Sequence, residues 1–135
     1  MRFTKITIIR TNKPKEITVN DLLKWFGASL GLFSLRDKDS SCFRIFIILV
    51  QDLRKEPFGL TSDELADLTG LSRGTVVYHL NRLLENGMII NAGNKYYLKV
   101  NNLEELVDEI EENLINTLNS MRTVAKHIDA QVGLK

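Results

Sequence analysis

The apolar positions change period several times along the chain, and each change marks a different element. Residues 3–9, Phe-Thr-Lys-Ile-Thr-Ile-Ile, are rich in β-branched side chains and roughly alternate, which predicts a strand. Asn12-Lys13-Pro14-Lys15 predicts a turn, and Ile17-Thr18-Val19 a return strand. Asn20 is then placed to cap a helix over 21–35, with Leu22, Leu23, Trp25, Phe26, Leu30 and Phe33 on a broad apolar face. Gly27 and Gly31 either weaken that helix or let another element approach it closely. A polar loop over 36–41 follows, and Ser40 or Ser41 can cap a helix over 42–55. That helix is apolar on several sides through Phe43, Ile45, Phe46, Ile48, Leu49 and Leu53, so it reads as the buried first helix of a core. Glu56-Pro57-Phe58-Gly59 ends it.

Thr61-Ser62-Asp63-Glu64 has the form of a capping box, in which the Thr61 hydroxyl accepts from the Glu64 amide while Glu64 reaches back. The helix runs to Thr69, and Gly70 suits the left-handed position beyond its end. Ser72 caps a further helix, 72–86, closed by Gly87. Strand-like runs at 88–91 and 95–100 flank Ala92-Gly93-Asn94 and make a β-hairpin. A long helix then begins at Leu103 and runs to about 130, with Glu104 and Glu105 in the first turn where acids complement the helix dipole. Leu103, Val107, Ile110, Leu114, Met121, Val124 and Ile128 recur in steps of four and three, with Leu118 beside the one polar gap at Thr117.

A short helix, a tight glycine turn, a second helix and a hairpin make a winged helix-turn-helix. Ala66 is small enough for the two helices to cross closely. Leu65, Leu68, Leu71, Val76, Leu80, Leu83 and Leu84 are placed to fix the pair to the core. On a helical wheel of 72–86, Val76, Leu80, Leu83 and Leu84 share one face. Gly74, Thr75, Tyr78, Asn81, Arg82 and Glu85 lie opposite, Val77 and His79 flank them, and Arg73 sits in the first turn. The outer face therefore carries donors and acceptors that suit base edges, and the helix N-terminus suits a phosphate. Candidate DNA contacts are Thr61, Ser62, Ser72, Arg73, Gly74, Thr75, Val77, Tyr78, His79, Asn81 and Arg82, with Asn94 and Lys95 at the hairpin tip. The plainer readings stand beside these: solvated arginines, a locally hydrogen-bonded His79, and ordinary turn residues at 94 and 95.

The run Ser72-Arg73-Gly74-Thr75-Val76-Val77-Tyr78-His79-Leu80-Asn81-Arg82-Leu83, followed by Glu85-Asn86-Gly87-Met88-Ile89, resembles the recognition helix and the start of the wing in ArsR-like winged-helix transcription regulators. The resemblance covers about 42–100. It implies a homodimer that binds a two-fold-symmetric operator through paired recognition helices. Metal-sensing members of that group carry a cysteine on the helix before the turn. Asp63-Glu64-Leu65-Ala66-Asp67-Leu68 has none. Val77 stands where the group often has a small polar residue, and could instead meet a thymine methyl.

Composition narrows the alternatives. The chain has 135 residues, 44% hydrophobic and 26% charged, which suits a globular fold and excludes disorder along most of it. One cysteine, Cys42, excludes an intramolecular disulfide and a multi-cysteine zinc site; at the head of an apolar helix it reads as a small hydrophobe. His79 and His127 are the only histidines. No metal site or cofactor is expected, nor a small-molecule effector. No phosphate-binding glycine loop, nucleophile elbow or His/carboxylate cluster occurs, so the chain does not read as an enzyme. The longest apolar run, 45–50, is too short to span a membrane, and 1–10 lacks a signal-peptide core, so a cytoplasmic protein is expected. Net charge is +1 but uneven: residues 1–60 carry 11 Lys/Arg against 6 Asp/Glu, residues 61–100 carry 4 of each, and residues 101–135 carry 3 against 7. The basic front, including Arg2, Lys5, Arg10, Lys13 and Lys15, tolerates phosphate better than the acidic tail does.

The expected organisation is mainly α with a small β-hairpin wing. Residues 1–39 pack on the core or on a dimer interface, 40–100 form the winged helix-turn-helix, and 101–135 form a long dimerisation helix. A helix of 28 residues is ~42 Å long at ~1.5 Å per residue, more than a small domain covers, so a second chain is its natural cover. Leu103, Val107, Ile110, Leu114, Leu118, Met121, Val124 and Ile128 are the candidate dimer contacts. The expected partners are double-stranded DNA and a second copy, and the expected function is sequence-specific transcription regulation by a winged helix-turn-helix homodimer. The alternatives are a winged-helix protein-docking module in a larger assembly and, more distantly, an RNA-binding winged helix.

Overall fold

A computed structural model describes residues 5–12, 18–33, 40–54 and 59–135. Five helices and a small sheet run in the order α1 (Val19–Ser29), α2 (Ser41–Asp52), β1 (Leu60–Thr61), α3 (Ser62–Thr69), α4 (Arg73–Glu85), β2 (Ile89–Ala92), β3 (Lys95–Leu98) and α5 (Leu103–Val132). The mainly helical architecture with a small antiparallel wing and a long last helix is that of a winged helix-turn-helix. One apolar cluster unites the elements. Ile45, Phe46 and Leu49 of α2, Leu65 of α3, and Val76, Leu80 and Leu83 of α4 are fully buried in it. Leu32 joins it from the N-terminal part, and Leu106 and Ile110 from α5.

The N-terminal part departs from expectation. Residues 5–10 form no strand, and Phe3 and Thr4 lie outside the described residues. The segment instead lies along α1, where the Ile9 amide donates to the Ser29 carbonyl at 2.7 Å and Trp25 Nε1 donates to the Thr11 carbonyl at 3.4 Å. A strand needs a ladder of such bonds, and these isolated ones do not make one. Ile17 and the turn at 13–15 also lie outside the described residues, as does the acid-bearing loop at 36–39. Thr18 and Val19 do not return as a strand. Thr18 is the N-cap of α1, its hydroxyl accepting from the Asp21 amide, so it displaces Asn20 from that role. α1 stops at Ser29, well short of 35, because the chain turns through Leu30 and a left-handed Gly31 (φ +72°).

Gly27 shows why close approach matters here. A Cβ at this position would run into the Phe33 ring, which itself packs edge-on against Phe43 at 5.3 Å between centroids. Gly27→Ala is expected to overpack this contact and lower stability by about 1–3 kcal/mol. Chemical denaturation would check it: an unchanged midpoint would show that Phe33 swings aside at no cost.

From α2 onward the boundaries agree with the pattern to within a few residues. Ser40, in the left-handed region at φ 52°, stands at the N-cap position of α2 without a capping hydrogen bond from its side chain, and Cys42 is buried. The capping box of α3 forms in full, with Glu64 N to Thr61 Oγ1 at 3.1 Å and Thr61 N to Glu64 Oε1 at 3.2 Å. Gly70 takes φ +70° between the helices of the pair. Leu68 is the exception among the apolar positions of α3. It is 61% exposed, because the eight-residue helix turns that side to solvent while Leu65 carries the contact with the core. The sheet has an unexpected third strand. β1 pairs antiparallel with β3, Leu60 opposite Tyr96 and Thr61 opposite Lys95, giving the order β1-β3-β2. Two residues leave no alternation to read, and only the pairing with β3 defines β1 as a strand.

Candidate nucleic-acid interface

The inner face of α4 is filled by Val76, Leu80 and Leu83, so its other side must face out. Arg73, Gly74, Val77, Tyr78 and Asn81 are exposed there, whereas Thr75, His79 and Arg82 are half-buried at its margins. Ser72 caps the helix, its Oγ accepting from the Thr75 amide at 3.2 Å and donating to Thr75 Oγ1 at 2.8 Å. The cap fixes the first turn, and with it the direction in which Arg73 leaves the helix. Tyr78 is 59% exposed and is held from two sides: His79 meets its ring edge-on at 5.1 Å, and the Arg82 guanidinium lies 6.0 Å over it. An aromatic ring clamped yet open to solvent loses little side-chain freedom when it meets a ligand.

The third strand brings the remaining candidates together. Because β1 runs directly into α3, its pairing with β3 sets Thr61, the cap of α3, opposite Lys95 of the wing. The same end of α3 reaches α4: Asp63 Oδ1 lies 3.4 Å from Arg73 Nε. Thr61, Ser62, Arg73 and Lys95 are therefore joined through two adjacent contacts. Asn94 sits in the turn between β2 and β3, exposed like Lys95.

Two residues of the framework have no counterpart in the sequence reading. Asp63 had no role of its own in the capping-box run, and its contact with Arg73 depends on how the two helices cross. Arg44 of α2 donates from Nη1 to the Thr69 carbonyl at 2.9 Å, tying the end of α3 to the core helix just before the glycine turn. The sequence signal for Arg44 was only a charge on an otherwise apolar helix.

α5 divides in two. Its first turns lie on the domain, burying Leu106 and Ile110 and half-burying Leu103. Leu106 was absent from the expected stripe, and Ile110 is already covered by the chain's own core. Beyond Leu114 the helix leaves the domain. Leu118, Met121, Val124, Ile128 and Val132 are all exposed along it, as is Val107 near its start.

An open helix outer face beside a wing is the arrangement of a winged helix-turn-helix fold. Residues 51–90 match the family model described as winged helix-turn-helix DNA-binding, a span that begins in α2 and ends in β2. No curated protein and no solved structure matches the chain. Among the described residues no cluster of three or more His, Cys, Asp or Glu could hold a metal ion, and no helix is long and apolar enough to cross a membrane.

Proposed function

We propose that the chain is a sequence-specific transcription regulator of ArsR-like type, a homodimer that reads a two-fold-symmetric operator in double-stranded DNA with α4. The observation that carries this reading is the division of α4. Its apolar side is sealed in the core, while Arg73, Val77, Tyr78 and Asn81 stand open on a helix whose N-terminal end lies near the wing. Such a face suits the major groove, where a side chain meets distinct donor and acceptor patterns and the thymine methyl. Lys95 and Asn94 suit the flanking backbone. The exposed part of α5 supports a two-chain assembly, because a soluble chain gains by covering a continuous apolar stripe. In this division residues 40–100 read DNA and 101–135 join the copies, with the described part of 1–39 bracing the core through Leu30 and Leu32.

Selection of bound duplexes from a random pool tests the reading, and an enriched inverted repeat is the expected result. Enrichment of no sequence would move the outer face of α4 to the docking of a protein partner. Arg73→Ala combined with Arg82→Ala is expected to abolish binding to the selected duplex, removing two cations and the clamp over Tyr78. A fluorescence anisotropy titration would check it. Affinity within a factor of about two of the parent, less than ~0.5 kcal/mol, would place the DNA contact elsewhere.

A further inference from the structure

Arg73 opens α4 and Asp63 lies in the first turn of α3, yet the two meet at 3.4 Å between Nε and Oδ1. Both side chains remain open to solvent, 73% and 71% exposed, so the pair contributes little to stability. Its consequence is orientation. A guanidinium has two donor edges, one containing Nε and one formed by the two terminal amino groups. A carboxylate on Nε leaves the terminal amino groups as the available parallel pair. That pair matches the O6 and N7 acceptors of guanine, the commonest specific contact in the major groove.

The negative charge matters as much as the geometry. A helix N-terminus with an arginine on it attracts phosphate, and attraction to phosphate is blind to sequence. An acid at the same place opposes a phosphate there while leaving neutral base edges admissible. The even balance of charges over 61–100 fits an interface that does not rely on bulk attraction. Exclusion of water on binding strengthens the ion pair where it is needed.

We propose that Asp63 is a specificity-determining positioning residue: it holds Arg73 by Nε so that the terminal amino groups meet a guanine edge, and it repels phosphate from that end of α4. This rests on the reading of α4 as the DNA-contacting helix.

The test uses the full chain and five proteins: parent, Asp63→Asn, Asp63→Glu, Arg73→Ala and the double variant Asp63→Asn with Arg73→Ala. Each is titrated at two salt concentrations against the duplex selected by the parent, single base-pair changes at its G·C positions, and a scrambled duplex. Asp63→Asn is expected to bind the scrambled duplex more tightly, with a log–log salt slope steeper by about 0.9, the value for one added phosphate contact. Its discrimination at one G·C pair is expected to fall about tenfold. Arg73→Ala should lose discrimination at the same pair, and adding Asp63→Asn should cost nothing further there. Asp63→Glu, which returns the carboxylate one methylene further out, should restore part of the preference and guards against a folding defect specific to the amide.

Unchanged discrimination in Asp63→Asn would overturn the inference. So would an equal loss from Asp63→Asn with and without Arg73, since the acid would then act through something else. A parent chain that selects no duplex would overturn the DNA reading itself. An operator that is selected and read equally well by Asp63→Asn would overturn this inference alone.

Discussion

Met121→Glu together with Ile128→Glu is expected to make the chain monomeric and to weaken operator binding by about 10²–10⁴-fold, the range over which linking two sites raises avidity. The expected seam is the far part of α5. Thirty residues at ~1.5 Å each make a helix ~45 Å long, and only its first turns are covered by the domain through Leu106 and Ile110. From Leu118 to Val132 the apolar side chains recur on one side and stand in solvent, Met121 at 61% exposed. Pairing two such stripes would bury both, and a carboxylate at two positions of the seam would have to be desolvated without a partner. Each half-site would then be bound alone. Because both residues are exposed in the single chain, the winged-helix domain should melt as before. Sedimentation equilibrium and a titration on the selected duplex provide the check. A double variant that remains a dimer would show that α5 is not the seam. A cut after residue 102 would be a poorer test, since it also removes Leu106 and Ile110 from the core.

Phe46→Ala is expected to cost about 3–5 kcal/mol, the usual range for deleting a buried phenyl ring. Phe46 is fully buried at the centre of α2 and lies 6.4 Å from Phe26 of α1, with the rings nearly parallel. Its loss would leave a cavity beneath the helix pair and remove one of the contacts that hold α1 to the domain. Against a total stability of about 5–15 kcal/mol for a domain, the remaining margin is small. Urea unfolding followed by circular dichroism would measure it. A loss below about 1 kcal/mol would mean that the neighbouring side chains collapse into the space.

The parts of the protein that could be read from its sequence are those where a local rule leaves one solution. Thr61 and Glu64 cap each other across three residues, and Gly70 occupies a backbone region that side chains disfavour. Val76, Leu80 and Leu83 repeat at helical spacing, and that repeat by itself divided α4 into an inner and an outer face. The exposed side chains of the candidate interface follow from the same division. Where local patterns admitted two outcomes, the sequence misled. Residues 3–9 have the composition of a strand, but a strand exists only if an edge is there to receive it, and residues 5–10 lie against α1 instead. Leu68 has the spacing of a core residue but lies on the side of α3 that faces solvent.

By itself the sequence determined the helix pair, the wing, the open face of α4 and the long last helix, because each depends on contacts within a few residues. Tertiary structure decided the rest. It made Leu60 and Thr61 a strand by setting them against β3, split the stripe of α5 into a covered and an uncovered part, and brought Asp63 to Arg73. These are encounters between segments distant in the chain, or between side chains on crossing helices. Their geometry follows from how the core packs, which no periodicity along one segment records.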